Sequence, residues 1–328
     1  MTGGDRPPPP PRPDGGGLLL VDKPGGCTSH DVVGRLRRVL QTRRVGHAGT
    51  LDPMATGLLV VAVDRSTKLL GHLALTTKTY TATVRLGVTT DSDDADGAVV
   101  ATAPPAALAA VTDDAIAGGI DALTGDIQQI PSSVSAIKVA GRRAYDLARA
   151  GETVQLAARP VTVSRFELLG PPRREQVPDG SAVSDLDVVV DCSSGTYIRA
   201  LARDLGAALG VGGHLTALRR TAVGPFGIGD AMDVFGGPDR HAPVGKTFAA
   251  AVAARILPAV DAVRSAFPIR ELTAAEAEHV RHGRSIPSRD PLIPGQVYGA
   301  LGPDGALVAL LTDRGEHARP VLGWAAGG

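Results

Sequence analysis

The sequence predicts an α+β fold followed by a small β-rich C-terminal domain. Strand-like and helix-like stretches occur together without the regular βαβ rhythm of a doubly wound sheet. Helical spacing of apolar residues marks Val32–Leu40 and Ile198–Leu209, while β-branched runs mark the strands between them. From about Pro268 the pattern changes to one helix and several short strands. At 328 residues the chain exceeds the size at which a single core usually stops growing, so one large domain and one small domain are expected.

Taken in order, residues 1–16 hold five consecutive prolines and the first two of three consecutive glycines, and are expected to be a disordered or polyproline tail. A catalytic-sized domain is expected over 17–235. It opens with a short strand, Leu18–Val21, which ends at Asp22-Lys23-Pro24. Thr28 followed by Asp31 reads as a capping box, and Val32, Val33, Leu36, Val39 and Leu40 form the buried stripe of the helix behind it. Arg35 and Arg38, one turn apart, are expected to point away from that stripe.

Strands are expected at Leu58–Val63, Tyr80–Leu86, Val161–Leu169, Leu186–Cys192 and His214–Phe226. Ala115–Leu123 and Ala144–Ala150 read as helices, and Ser132–Arg143 turns at Gly141. Residues 170–185 look like an exposed excursion. Thr196–Leu209 is an amphipathic helix with Ile198, Leu201 and Leu205 on one face, and Arg199 and Arg203 on the other. Residues 236–266 are expected to link this domain to a C-terminal one at 267–328, built from a helix at Thr273–His282 and strands at Val297–Leu301, Leu307–Thr312 and Pro320–Trp324.

Lys+Arg and Asp+Glu balance at 34 each, so net charge alone says nothing about nucleic acid. The distribution does. Residues 32–51 carry Arg35, Arg37, Arg38, Arg43 and Arg44 and no acid, a local basic stripe suited to phosphate contact. No apolar run approaches the roughly 20 residues that span a bilayer, and the N-terminus has no secretory h-region. Cys27 and Cys192 stand far apart with no CxxC, which argues against a disulfide framework or a zinc cluster. A cytoplasmic protein without metal, cofactor, membrane or obligatory protein partner is expected.

The most informative segment is Gly46-His47-Ala48-Gly49-Thr50-Leu51-Asp52-Pro53-Met54-Ala55-Thr56-Gly57. It sets one carboxylate, Asp52, in a glycine-rich loop between an arginine-rich helix and a strand. Asp-Pro is also a good helix start, but Gly57 leads into a strand, leaving little helix to cap. The glycines let backbone approach a ligand closely. Arg199 in Gly195-Thr196-Tyr197-Ile198-Arg199-Ala200 faces Arg203 at i,i+4. Like charges at that spacing are mildly unfavourable and hint at an external acid or anion. Ser92–Gly97 resembles half a calcium loop, but Ala103 stands where the bidentate glutamate belongs, so the stretch is expected to be a solvated turn.

These motifs closely resemble those of the TruB-type pseudouridine synthases, which act on uridine 55 of tRNA. The resemblance runs through residues 17–226. It implies a pseudouridine-synthase fold with a mixed, mostly antiparallel sheet flanked by helices, and a small PUA-like C-terminal domain. It implies isomerisation of uridine in the T loop of tRNA by base flipping, with Asp52 as nucleophile and tRNA (its T arm) as partner. It places Arg199 beside Asp52, Tyr80 stacked on the target base, and His47 helping to displace a loop nucleotide. Tyr197, Lys23 and Leu218 are assigned to the substrate pocket. Arg43, Arg44, Lys138 and Arg142 are assigned to RNA contact. The alternative weighed against this is a non-catalytic tRNA-folding factor using the same cleft, which has no need of Asp52.

Overall fold

The computed structural model describes residues 8–132, 138–139, 142–143, 157–178, 180–236, 244–288 and 295–324. An eleven-stranded sheet forms the body. Its main path runs Leu257–Pro258, Gly17–Lys23, Thr56–Val63, Gly213–Val223, Lys78–Leu86, Ala182–Cys192, Arg159–Leu168, Gly125–Gln129. Every ladder along it is antiparallel except one: Gly213–Val223 runs parallel to Thr56–Val63 through just two register pairs, Arg219↔Thr56 and Arg220↔Gly57. Two antiparallel half-sheets therefore meet along a short seam. The Asp52 loop enters the sheet at that seam, because Thr56 is the first residue of its strand.

The strand alternation follows the side chains. In Lys78–Leu86 the residues 78, 80, 82, 84 and 86 are buried and those between them half-buried, as expected where one face packs and the other meets solvent. The buried face joins Tyr80, Ala82, Val84 and Leu86 to Ile198, Leu201 and Leu205 of the helix Ile198–Ala208. On the other half-sheet, the helix Ser29–Val39 packs Val32, Val33, Leu36 and Val39 against Leu19, Val21, Leu59, Val61 and Val63. Its N-cap is Thr28, with the expected capping box to Asp31.

A second sheet of five strands follows, in the order Ile269–Glu271, Val297–Leu301, Leu307–Arg314, His317–Gly323, Ile286–Pro287. Thr273 caps the helix Ala274–Arg281 through a second capping box. The α+β class and the β-rich C-terminal end are thus both present.

Several elements differ from expectation. The segment read as a linker carries the helices Lys246–Ala254 and Ala259–Ala266. Ala259, Ala262 and Val263 bury between Leu18, Leu58 and Val60 of the body and Leu301, Leu307 and Leu310 of the small sheet, so the two sheets share a core. The 170–185 excursion holds a strand, Arg173–Gln176, paired with Ala182–Asp185. Of the expected tail, residues 8–16 lie on the body: Arg12 pairs with Asp64 at 3.0 Å and donates to the Leu40 carbonyl. Arg35 is buried rather than outward-facing; it donates to the carbonyls of Val234 and Phe235 and sits 5.8 Å over the Phe248 ring. The expected helix at 144–150 lies outside the described residues.

The seam depends on Gly57. Its φ is +100°, and a Cβ there would meet the Arg220 carbonyl oxygen at 2.3 Å. Gly57→Ala is expected to destabilise the protein by about 3 kcal/mol, from left-handed strain plus overpacking. Urea unfolding would show this as a lower midpoint at unchanged slope.

Candidate functional site

The backbone of the Asp52 loop is fixed on both sides before any side chain is considered. Ser29, in the first turn of its helix, holds Leu51 twice: Leu51 N donates to Ser29 Oγ (3.0 Å) and Ser29 Oγ donates to the Leu51 carbonyl (3.3 Å). Gly26 N donates to the Pro53 carbonyl at 2.8 Å, and Ala55 N closes a turn onto the Asp52 carbonyl at 3.1 Å. Lys23 is completely buried and donates to the carbonyls of Pro24, Cys27 and Pro53. It therefore ties the loop down from beneath and does not line the cavity, where the sequence reading had put it.

The loop side chain meets a cation from another part of the chain. Arg199 Nε lies 3.0 Å from Asp52 Oδ2, and Arg199 Nη1 lies 3.1 Å from Asp94 Oδ2 and donates to the Ser92 carbonyl at 2.8 Å. The Arg199 side chain is 4% exposed and that of Asp94 6%, whereas Asp52 keeps 36%. The guanidinium is thus sealed in the wall while the carboxylate it pairs with opens onto the cavity. Burial raises the Asp52 carboxyl above its ordinary value, the Arg199 charge offsets only part of that rise, and the carboxyl stays raised.

Ser92–Asp94 is not a solvated turn. All three residues are buried. The turn is docked on Gly213–Val223, where Leu215 N donates to the Asp93 carbonyl at 3.0 Å. Asp93 Oδ2 accepts from Arg203 Nη1 at 3.2 Å. The acids hinted at by the i,i+4 arginines are Asp52, Asp93 and Asp94. Asp93 and Asp94 lie more than a hundred residues upstream of those arginines.

A cavity of about 280 Å³ opens over Asp52. Its walls are Gly49–Asp52, Lys78 and Tyr80, Gly195–Arg199, and Leu218 and Arg220. Strand register explains the grouping: Tyr80 pairs directly with Arg220, and Ala82 with Leu218. Tyr80 is buried, which raises its phenol. Tyr197 stands at the start of the Ile198–Ala208 helix, and Gln129 grips its backbone on both sides, accepting from Tyr197 N (2.8 Å) and donating to its carbonyl (3.0 Å).

Two cations in this wall were not picked out as site residues from the sequence. Arg220 is buried; its Nε donates to the Leu58 carbonyl at 2.7 Å and its Nη2 to the Gly49 carbonyl at 2.9 Å. Lys78 is buried too, and burial together with the Arg220 charge brings its ammonium down to about 8. Both were within reach of the sequence. Lys78 stands two before Tyr80 and Arg220 two after Leu218, so period-two alternation puts each on the face of its recognised neighbour.

The remaining expected residues are spread out. His47 precedes the loop, edge-on to His30 at 5.9 Å. Burial lowers it to about 4, so the ring is neutral near pH 7. Arg43 and Arg44 are exposed at the far end of the neighbouring strand, where Val45 pairs with Val63. At about 3.3 Å per residue that is roughly 20 Å from the cavity. Lys138 and Arg142 belong to a short ladder, Lys138↔Arg143 and Val139↔Arg142, and their side chains lie outside the described residues. Among the described residues no cluster of three or more metal-ligating side chains occurs.

Residues 37–198 match the model described as TruB family pseudouridylate synthase (N terminal domain). Residues 199–235 match the tRNA pseudouridylate synthase B C-terminal domain, and residues 267–324 match tRNA Pseudouridine synthase II, C terminal. The chain is 58% identical to tRNA pseudouridine synthase B of Nocardia farcinica (strain IFM 10152) over 93% of its own length and 92% of that protein. It is 53% identical to tRNA pseudouridine synthase B of Mycobacterium sp. (strain KMS), over 93% and 94% respectively. Among solved structures it superposes on a Cbf5-Nop10-Gar1 complex with TM-score 0.67 at 25% identity, covering 94% of this chain and 84% of that one.

The geometry around Arg199 makes a stability prediction. Asp94→Ala removes one of two carboxylates from a buried guanidinium, and is expected to cost about 3 kcal/mol, since an uncompensated buried charge is left behind. Urea unfolding would read it, and a cost below about 1 kcal/mol would show that Asp52 alone suffices to hold Arg199.

Proposed function

The chain belongs to the TruB family of pseudouridylate synthases, and on that footing we propose that it isomerises uridine to pseudouridine at position 55, in the T loop of tRNA. The observation that carries this reading is a base-sized cavity in which one carboxylate, Asp52, opens towards the substrate while its counter-ion, Arg199, is buried behind it. The relatives named tRNA pseudouridine synthase B support tRNA as the substrate. An H/ACA RNP bound to a substrate RNA containing 2'-deoxyuridine shares the fold at 23% identity.

The isomerisation exchanges one bond for another. The C1′–N1 bond breaks, the base turns, C1′–C5 forms, and the proton on C5 is lost while N1 regains one. No net electron is transferred. Asp52 supplies the nucleophile, and Arg199 keeps it ionised in a water-poor wall by charge pairing. Tyr80 and Leu218 form the faces between which a flipped base stacks. A uridine folded into a T loop must leave its stack to enter this cavity, and His47, neutral and beside the loop, fits a role in filling the space it vacates. Arg43 and Arg44 fit phosphate contact away from the cavity, and Lys138 and Arg142 are assigned to the same class of contact. The C-terminal sheet is proposed as a PUA-like RNA contact, and the cytoplasm, where tRNA is processed, as the site of action.

The reading is tested by mapping pseudouridine chemically in an unmodified tRNA transcript after treatment with the protein. One modified position, uridine 55, is expected, and replacing that uridine by cytidine should abolish all modification. Product at other positions alone would overturn the site assignment. Arg199→Ala should lower the rate more than it weakens tRNA binding. Because Arg199 pulls the Asp52 carboxyl down, its loss raises that carboxyl further, so the acidic limb of the variant's pH–rate profile should move to higher pH. Equal losses in rate and binding, with an unmoved limb, would make Arg199 a phosphate contact instead.

A further inference from the structure

We propose that Lys78 is a catalytic residue of the same cavity, a cationic hydrogen-bond donor that stabilises the uracil ring while it carries negative charge. The proposal rests on the isomerisation read above. Lys78 lines the cavity beside Tyr80, and its Cε lies 3.5 Å from where a Cβ on Gly49 would stand, so it packs against the Asp52 loop itself. An ammonium has three N–H donors. Two are used, to the carbonyls of Ala74 (2.9 Å) and Thr76 (2.6 Å). These bonds fix the head group, and the third N–H has no acceptor among the described residues. A buried ammonium held by two bonds, with one donor left over at the wall of the cavity, is suited to meet an acceptor on the ligand.

The chemistry supplies that acceptor. Whichever ring or sugar carbon the Asp52 carboxylate attacks, its negative charge moves onto the base. Attack at C1′ expels uracil with the electron pair of the C1′–N1 bond, and addition to the ring makes an enolate. In both cases the charge resides on the ring carbonyl oxygens and nitrogens until the ring carbon attacks C1′ and returns the pair. A preorganised cation in a dry wall is worth most at that moment. Asp52 cannot help, because it has just given up its charge, and Arg199 is committed to Asp94 and the Ser92 carbonyl. Arg220 places two of its five N–H donors on the carbonyls of Leu58 and Gly49. Lys78 adds to them a cation with a donor to spare.

Its protonation is sensitive to its surroundings. Arg220 faces it from Gly213–Val223, Cys192 from Ala182–Cys192, and Tyr80 lies on its own strand. Burial and Arg220 place its loss of charge near pH 8, so the rate of the wild type should fall as pH rises through that value.

The test is single-turnover tritium release from C5-tritiated uridine in full tRNA, with tRNA affinity measured in parallel. Lys78→Met keeps the stem and removes the charge. It should lose about 100-fold in rate, as deletion of a preorganised donor does, with affinity unchanged within about threefold. Lys78→Arg should restore most of the rate and abolish the alkaline fall, because a guanidinium stays charged. Lys78→Met within about threefold of wild type, or an alkaline fall that persists in Lys78→Arg, would overturn the proposal. Should Lys78→Met melt before assay, the pH profile of Lys78→Arg decides alone. A wild type that binds tRNA but releases no tritium overturns the isomerase reading and this proposal with it, whereas an active wild type beside an active Lys78→Met overturns Lys78 only.

Discussion

The Arg199 guanidinium, shared between Asp52 and Asp94, is the constraint on which the rest of the structure turns. It starts in an awkward place. Arg199 is in the first turn of the helix Ile198–Ala208, where the helix dipole is positive and a cation is disfavoured. It is also buried, where a lone charge is expensive. Both penalties are relieved only when carboxylates from two other segments reach it, and both do. Buried ion pairs of this kind contribute little net stability compared with a packed apolar core. What they provide here is position: the helix, the acidic turn and the Asp52 loop hold one relative placement because any other leaves a charge without a partner.

That placement needs a cleft, and the sheet supplies it. Two antiparallel half-sheets joined by a two-pair parallel seam cannot close the space at the seam with continuous ladder. The gap is bounded instead by the Asp52 loop on one side and the Ile198–Ala208 helix on the other. Arg220 bridges the seam by reaching from its own strand to the carbonyls of Leu58 and Gly49. Gly57 has the positive φ and the absent side chain that the Arg220 backbone requires. The chemistry-bearing residues are thus held by backbone contacts as much as by side-chain pairing, which is what a site aimed at a developing charge needs.

Much of this was legible beforehand. The Asp52 loop, Arg199, Tyr80 and Leu218 were each singled out through the family resemblance of their motifs, and the fold brings them to one cavity. The main strands and the two large helices followed from periodicity, with ends displaced by up to four residues. What escaped had physical reasons. Arg173–Gln176 is a charged, exposed edge strand with no apolar alternation to reveal it. The Ala-rich helices of 246–266 bury small side chains whose apolar stripe is faint. Ser92–Asp94 reads as solvated because acids usually are, and only the fold shows that its counter-charges lie more than a hundred residues away. Lys23 was recognised as important but misplaced: its role is to hold carbonyls under the loop.

On the function proposed above, the Asp52 carboxylate, and not the cleft alone, performs the reaction. The most direct measurement is tritium release from C5-tritiated uridine in an unmodified tRNA transcript, comparing wild type with Asp52→Asn at equal RNA occupancy. Release is expected from the wild type and not from the variant, with the transcript bound alike by both. Release by Asp52→Asn near the wild-type rate would contradict that role.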